Sequence, residues 1–299
     1  MKTNAEIGGD DANVVPGEIL LSAAGVRFRK KVRLNWLEVW TIACSARPNR
    51  TTCIIYIVLA SLVSISCYAV QWRLSKKVNE MPEQLQVHTV VSMPFEENSY
   101  IVWLSGRDDA IVIDPGLEPG LILDFVHEQR LTIAAILNTH GHADHIGGNE
   151  ALKESWPQAP LIIGAKDAHM LRDAEANLSA PFGLPITSPP ADRVVREGDI
   201  IEAAALRFEV FDVPGHSPGH VVYAYRDSPC QVFGGDVLFR GSIGRYDFPG
   251  SDGRLLIEGI RSKMFAFPGN TVVFPGHGPV TTIGHERRTN PFVGDDVSA

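Results

Sequence analysis

Three histidines and a carboxylate crowd into six positions of this 299-residue chain, within Thr139-His140-Gly141-His142-Ala143-Asp144-His145-Ile146-Gly147-Gly148. Packing gives no reason for such a density of imidazole separated by small residues. His140 and His142 lie two apart, so on an extended or tightly turned backbone their rings converge on one point. Asp144 and His145 follow at once and can aim at a second point close by. Imidazole and carboxylate are ligands that zinc, iron and manganese accept. A chain that holds such a segment must fix it on a rigid support and bring the missing ligands from elsewhere.

The pattern around the cluster supplies that support. β-Branched runs at 85–91, 98–104 and 110–114 are separated by turn residues and predict strands. Pro115-Gly116 stops the third, and the spacing of Leu121, Phe125 and Val126 predicts a helix over 121–130. The run 133–139 predicts a buried strand that delivers His140 at its C-terminal end, where mixed folds commonly carry their chemistry. Short helices are expected at 149–156 and 165–172, and a proline-rich loop at 177–192. Strands resume at 206–211, 221–225 and 231–233, an amphipathic helix is expected at 255–265, and a last strand at 271–274. Three of these later strands lead into further candidate ligands on Gly- or Pro-rich turns: His216 in Pro214-Gly215-His216, Asp236 in Gly234-Gly235-Asp236, and His277 in Pro275-Gly276-His277-Gly278. Seven ligands at parallel positions argue against chance.

Residues 1–80 read differently. They carry eleven Lys and Arg against six Asp and Glu, whereas residues 81–299 carry sixteen against twenty-nine. So acidic a body lacks the basic face that nucleic-acid binding needs. Residues 51–72 run without a charge for about the 20 positions a membrane-spanning helix requires. Two readings fit the break. In one, residues 1–81 are an extension that anchors the protein in a membrane; in the other, translation starts at Met81 and the protein is cytoplasmic. Arginine and lysine flank the apolar run on both sides, so orientation is not fixed. Three of the four cysteines (Cys44, Cys53, Cys67) fall in the extension, and Cys230 alone cannot staple the body.

Together, Thr-His-Gly-His-Ala-Asp-His, Pro-Gly-His, Gly-Gly-Asp and Pro-Gly-His-Gly resemble the metallo-β-lactamase superfamily, and within it glyoxalase II and its single-domain relatives, over residues 82–299. The resemblance implies an α/β (α+β) fold, a four-layer αββα sandwich with metals at one edge. It also implies two divalent ions, zinc first, with iron or manganese also suited. His140, His142 and His216 would hold one ion, Asp144, His145 and His277 the other, with Asp236 bridging. Asp144 and Asp236 are the carboxylates expected to take part in catalysis, and the sequence offers no obvious Ser-His-Asp arrangement around a Gly-x-Ser-x-Gly elbow. Asp114 resembles the family position that orients a ligand histidine, or else simply ends its strand; His220 is expected to pack or support rather than ligate, and His285 to tie the tail.

The reaction implied is hydrolysis of a small-molecule thioester or ester by a metal-bridging hydroxide, with S-D-lactoylglutathione as the model substrate. The substrate stretch departs from glyoxalase II. Arg245 falls near that family's glutathione-binding lysine and Tyr246 one position from its tyrosine, while Asp247 would repel a substrate carboxylate. The helical domain that adds glutathione contacts in glyoxalase II is missing. Arg245 either binds substrate or pairs with Asp247. Gly244-Arg245-Tyr246-Asp247-Phe248 also matches an element of persulfide dioxygenases, which use one iron. A β-lactamase is a further alternative, disfavoured by Asp236 as bridge, and a binding-only protein is disfavoured by the intact ligand set. Oligomeric state is left open.

Overall fold

The computed structural model describes Ser22–Ala23, Val26–Arg27 and residues 84–297 apart from 184 and 228. Contacts divide the chain into two units, Met1–Met81 and Pro82–Ala299. In the first, Ser22–Ala23 pairs antiparallel with Val26–Arg27. The charge-free run 51–72 and the start at Met81 lie outside the described residues. Among those described, no helix is long and apolar enough to cross a membrane.

The second unit is built on two six-stranded sheets. Strands β1 (Leu85–Ser92), β2 (Glu97–Leu104), β3 (Asp109–Ile113), β4 (Thr132–Asn138), β5 (Leu161–Gly164) and β6 (Arg193–Val195) form the first, in that order. The first three are antiparallel neighbours, and β3 through β6 run parallel. The second sheet uses β7 (Ile200–Ala203), β8 (Leu206–Asp212), β9 (Val221–Tyr225), β10 (Gln231–Gly235), β13 (Val272–Pro275) and β14 (Thr281–Thr282), with β10 and β13 parallel. A small hairpin, β11 (Leu238–Phe239) and β12 (Ser242–Ile243), leaves it after Asp236.

Strand alternation sorts the side chains between layers. In β3, Ile111 and Ile113 face the opposite sheet while Ala110 and Val112 face helices. In β9, Tyr223 and Tyr225 face inward while Val222 and Ala224 face outward. The interior between the sheets is aromatic: Phe233 stacks on Phe274 at 4.9 Å and meets Tyr100 edge-on at 5.5 Å. Each such side chain, once buried, contributes about 2 kcal/mol by leaving water. Helices α1 (Pro119–Gln129) and α3 (Asn149–Ser155) cover the first sheet through Ile122, Val126 and Leu152. Helices α4 (Gly253–Ser262) and α5 (Ile283–Thr289) cover the second through Leu256, Ile260 and Ile283. The expected αββα sandwich is the fold.

Several elements differ from the sequence pattern. The helix expected at 165–172 is only a 3₁₀ turn, Ala168–Arg172, because the Ala165 amide donates to Val195 O at 2.9 Å and prolongs the sheet. The amphipathic helix begins at Gly253, since Asp252 caps it by accepting from Arg254 N and Leu255 N at 2.9 and 3.1 Å, and it ends at Ser262. Strands β5, β6, β7, β11, β12 and β14, the short helix Ala143–Ile146 and helix α5 are additional. Buried Glu286 accepts from Thr281, Gly241 and Asn290 and so fastens α5, on which His285 is half-exposed.

The two sheets are clasped where β4, β10 and β13 end. Tyr223 donates to Asn138 O at 2.7 Å, and Val221 N to Thr139 O at 2.8 Å. From the other side, Tyr100 donates to Pro275 O at 2.6 Å and Asn98 N to Gly276 O at 2.7 Å. These bonds bring three ligand-bearing loops to one edge of the sandwich.

Candidate metal centre

Each of the seven candidate ligands reaches that edge from the end of a structural element. Strand β4 hands the chain to Thr139 and His140, then to the short helix α2 (Ala143–Ile146), which carries Asp144 and His145. His216 follows β8, Asp236 follows β10 and His277 follows β13. Close approach is secured by glycine at two points. Gly235 has φ 47°, and a Cβ there would enter the Thr139 side chain; a Cβ on Gly276 would meet the Asp236 carboxylate and the His145 ring.

Three groups of side chains among the described residues offer ligand atoms close enough for one ion: His140, His142 and His216; Asp144, His145 and His277; and Asp114, His140 and His145. Asp114 already faces His145 Nδ1 and Thr139, leaving the first two as the candidate ion sites. In the first, His142 Nδ1 lies 3.0 Å from His140 Nε2 and 2.9 Å from His216 Nε2. In the second, His277 Nε2 lies 3.4 Å from Asp144 Oδ2. Asp236 stands between the groups, with one oxygen 3.4 Å from His145 Nε2 and the other 3.4 Å from His216 Nε2 and 3.5 Å from His277 Nε2. His145 Nε2 and Asp236 Oδ1 are buried without a hydrogen-bond partner in the protein. Buried polar atoms without partners are costly. A cation that both could ligate would satisfy them, so the donor set fits two ions of the kind that accept nitrogen and oxygen.

The far side of the rings is equally ordered. His145 Nδ1 lies 3.1 Å from Asp114 Oδ2, His216 Nδ1 2.8 Å from Arg245 O, His277 Nδ1 3.0 Å from Phe95 O, and His140 Nδ1 3.1 Å from Thr139 Oγ1. Such partners fix ring orientation and leave the other nitrogen, Nε2, free to ligate. Asp114 itself adopts φ 50° and also accepts from Thr139 N and Thr139 Oγ1, both at 2.7 Å. It is thus an orienting carboxylate as well as a strand end. His220, fully buried, stacks 4.7 Å from the His140 ring and accepts from Asp236 N at 3.0 Å. It supports the Asp236 turn and belongs to neither group.

Charge divides the two groups. Burial, then His145 and His142, holds His140 well below the ordinary histidine pKa; burial, then His216, does the same to His142. For His145 burial also acts downward, but Asp144, Asp236 and Asp114 overcome it and raise the pKa. His277 is raised as well, burial being outweighed by Asp144 and Asp236. Burial would raise Asp144, yet His145 and His277 draw it below the usual carboxylate range.

A metallo-beta-lactamase superfamily model matches residues 93–277, spanning the ligands from His140 to His277. The chain belongs to the metallo-beta-lactamase superfamily. Its chemistry is accordingly that of the metal-dependent hydrolases. Hydroxyacylglutathione hydrolase GloC from Haemophilus influenzae is 34% identical over 70% of this chain and 98% of its own length. The solved structure of the BLEG-1 B3 metallo-beta-lactamase is 37% identical with a TM-score of 0.67, covering 70% of this chain and 99% of that one. TTHA1623 in a di-iron-bound form is 40% identical with a TM-score of 0.61, covering 69% and 100%.

Around the candidate ligands lies a cavity of about 520 Å³, lined by His142, Asp144, His216, Asp236 and His277 and walled by Phe95, Leu117, Leu178, Ile186, Phe239 and Phe248. Arg245 is its sole Lys or Arg among the described residues. That guanidinium pairs with Asp247 in bidentate fashion, both bonds at 2.9 Å, and lies 4.2 Å from the Phe248 ring centre. Tyr246 turns away to a separate surface concavity with Gly253 and Arg254, so of the two expected substrate contacts only Arg245 lines the cavity.

Besides Glu286, two buried carboxyl groups beside the candidate ligands escaped the sequence reading. Asp167 accepts from Ser217 Oγ at 2.5 Å, Gly219 N at 2.6 Å and Gly141 N at 3.3 Å. It joins the loop between His140 and His142 to the loop of His216, and burial pushes its pKa up against those bonds. Glu97 is fully buried behind His145, and burial raises it well above the usual carboxylate value. Neither carries a local signal, since Glu97 lies between Glu96 and Asn98 and Asp167 follows Lys166.

Proposed function

We propose that the protein is a binuclear thioester hydrolase of the glyoxalase II type, cleaving an S-acylglutathione. The observation that supports it is Asp236 poised between two three-ligand groups at the floor of one cavity. His140, His142 and His216 would hold one ion, Asp144, His145 and His277 the other, and Asp236 both. Bound there, the ions would supply Lewis acidity and an activated water at neutral pH. The chain's own part is positional. Asp114, Arg245 O and Phe95 O hold the imidazoles in one orientation, and the aromatic walls keep bulk water from the acyl carbon. Arg245 offers the substrate one cation, already shared with Asp247.

The 34% identity to a hydroxyacylglutathione hydrolase supports the thioester. Metal analysis of the full chain, with turnover of S-D-lactoylglutathione and a longer S-acylglutathione, tests the reading: two equivalents of metal and thiol release are expected. A second reading rests on Gly244-Arg245-Tyr246-Asp247-Phe248 and its ion pair, which suit a one-iron persulfide dioxygenase. Oxygen uptake on glutathione persulfide with a single iron would favour it. The likeness to a B3 enzyme makes nitrocefin the third substrate to try; no turnover is expected.

A further inference from the structure

Leu178, in the cavity wall, has a left-handed backbone with φ 70°. Branched apolar side chains rarely adopt that conformation, and it persists only where the surroundings over-determine it. Here the surroundings are a corner centred on buried Asn177. Its amide nitrogen donates to Met170 O at 3.1 Å and Ile186 O at 2.9 Å, and its side-chain oxygen accepts from Ser179 N at 3.1 Å and Ser179 Oγ at 2.6 Å. Ile186 N donates to Ser179 Oγ at 2.9 Å, so the hydroxyl is committed on both sides. Asn177 O accepts from Ala143 N at 3.0 Å, the first residue of the helix that carries Asp144 and His145. The corner is therefore bolted to the edge that carries the candidate ligands, and both Leu178 and Ile186 line the cavity from it.

The polar side chains of the corner have no bond to spare: Asn177 and Ser179 spend their hydrogen bonds within it. Arg245 gives only part of its guanidinium fork to Asp247. A hydroxyl on the acyl chain would leave water for a wall that cannot replace its hydrogen bonds, which a binding site penalises. We infer that the corner formed by Asn177, Leu178, Ser179 and Ile186 is the acyl-selecting wall of the site, and that the preferred substrate is a thioester of an unsubstituted, apolar acyl group in place of a hydroxyacyl one. The inference rests on the thioester-hydrolase reading and sharpens its substrate class.

The test compares S-acetyl-, S-D-lactoyl-, S-butyryl- and S-hexanoylglutathione on the zinc-loaded full chain. kcat/KM should rise by about threefold for each methylene that reaches the wall. Hexanoyl should exceed lactoyl by at least about tenfold. In Leu178→Gly, which suits the left-handed backbone, and in Ile186→Ala, the hexanoyl-to-acetyl ratio should fall toward one. Leu178→Gly should also melt no lower than the native protein; a marked drop would make Leu178 a packing residue and overturn its assignment. Binding of the inert thioethers S-methyl- and S-hexylglutathione separates this inference from the reading beneath it. Tighter hexyl binding that Leu178→Gly abolishes, without turnover of any thioester, would keep the wall and reject the hydrolase. Equal binding of the two thioethers, or a preference for the lactoyl ester, would overturn the wall.

Discussion

The ligand end and the substrate end of the cavity are built on opposite principles. At the ligand end, His140, His145 and His220 are fully buried, and Asp114, His220 and backbone carbonyls hold the ligands from behind. At the substrate end, the one cation sits in an ion pair whose side chains are about two-thirds exposed, and the walls are apolar loop residues. The difference teaches where each property resides. Reaction chemistry demands fixed donors and rigid strand exits, whereas the apolar walls come mostly from loops that are tied to those donors only through their backbones, at Asn177 O, Arg245 O and Phe95 O.

The largest effect should come from the residue that joins the two ligand groups. Asp236→Ala should lower metal content and reduce hydrolysis by on the order of a thousandfold or more; native turnover in that variant would refute the two-metal assignment. Next comes the support. Asp114→Asn should cost about 10–100-fold in metal affinity or activity, seen by chelator competition, because His145 loses its orienting carboxylate. An unchanged affinity would mean that Asp114 only ends its strand. Asp167→Asn should destabilise by about 2 kcal/mol, since an amide cannot accept from all three donors. If His140, His142 and His216 hold one metal as proposed, its affinity should weaken more than that of the other, because Asp167 ties down both of their loops. Equal weakening at both sites would reduce Asp167 to a general structural role.

Acidity sharpens the comparison within the ligand end. In the metal-free protein the raised pKa of His145 and His277 means that their ion pairs stabilise fully below the unfolded histidine value of about 6.5 and fade as pH rises through the folded values. His140 and His142 are depressed, so their contribution is present above about 6.5 and is lost as pH falls toward the folded values. The depressed Asp144 adds stability above the unfolded carboxylate value, lost only on strong acidification. Loading the Asp144 group should therefore release protons near neutrality, while loading the His140 group releases few. Calorimetric titration in two buffers of different ionisation enthalpy reads the difference; identical proton release for both equivalents would contradict it. The smallest effect belongs to the exposed pair. Asp247→Asn should leave the melting temperature essentially unchanged. It should lower KM for an anionic thioester by less than about threefold as Arg245 is freed.

Much of the ligand end was legible in the sequence because metal ligation is written locally. His140, His142, Asp144 and His145 share six positions, and His216, Asp236 and His277 each sit in a short Gly- or Pro-rich turn. The sandwich was legible only through the family resemblance that those ligand motifs carry; β-branched runs such as 98–104 predicted strands and not their layering. What was not legible depends on distant partners. Asp167 acts through Gly141 and Ser217, 26 and 50 residues away, and no local pattern marks it. The three-residue strand β6 and two-residue β14 are too short to carry a period, and they exist because neighbouring strands offer free edges. The 177–192 stretch read as a proline-rich loop, which it largely is, but the order imposed by Asn177 arises only when the chain folds back on Met170 and Ala143.

The account depends most on two metals serving one hydrolytic site. Quantifying metal in the full chain while following thiol release and dissolved oxygen from the same sample tests that directly. Two equivalents per chain, with S-acylglutathione cleaved and no oxygen consumed, is the predicted result. A single iron, with oxygen uptake on glutathione persulfide and no thioester cleavage, would contradict it.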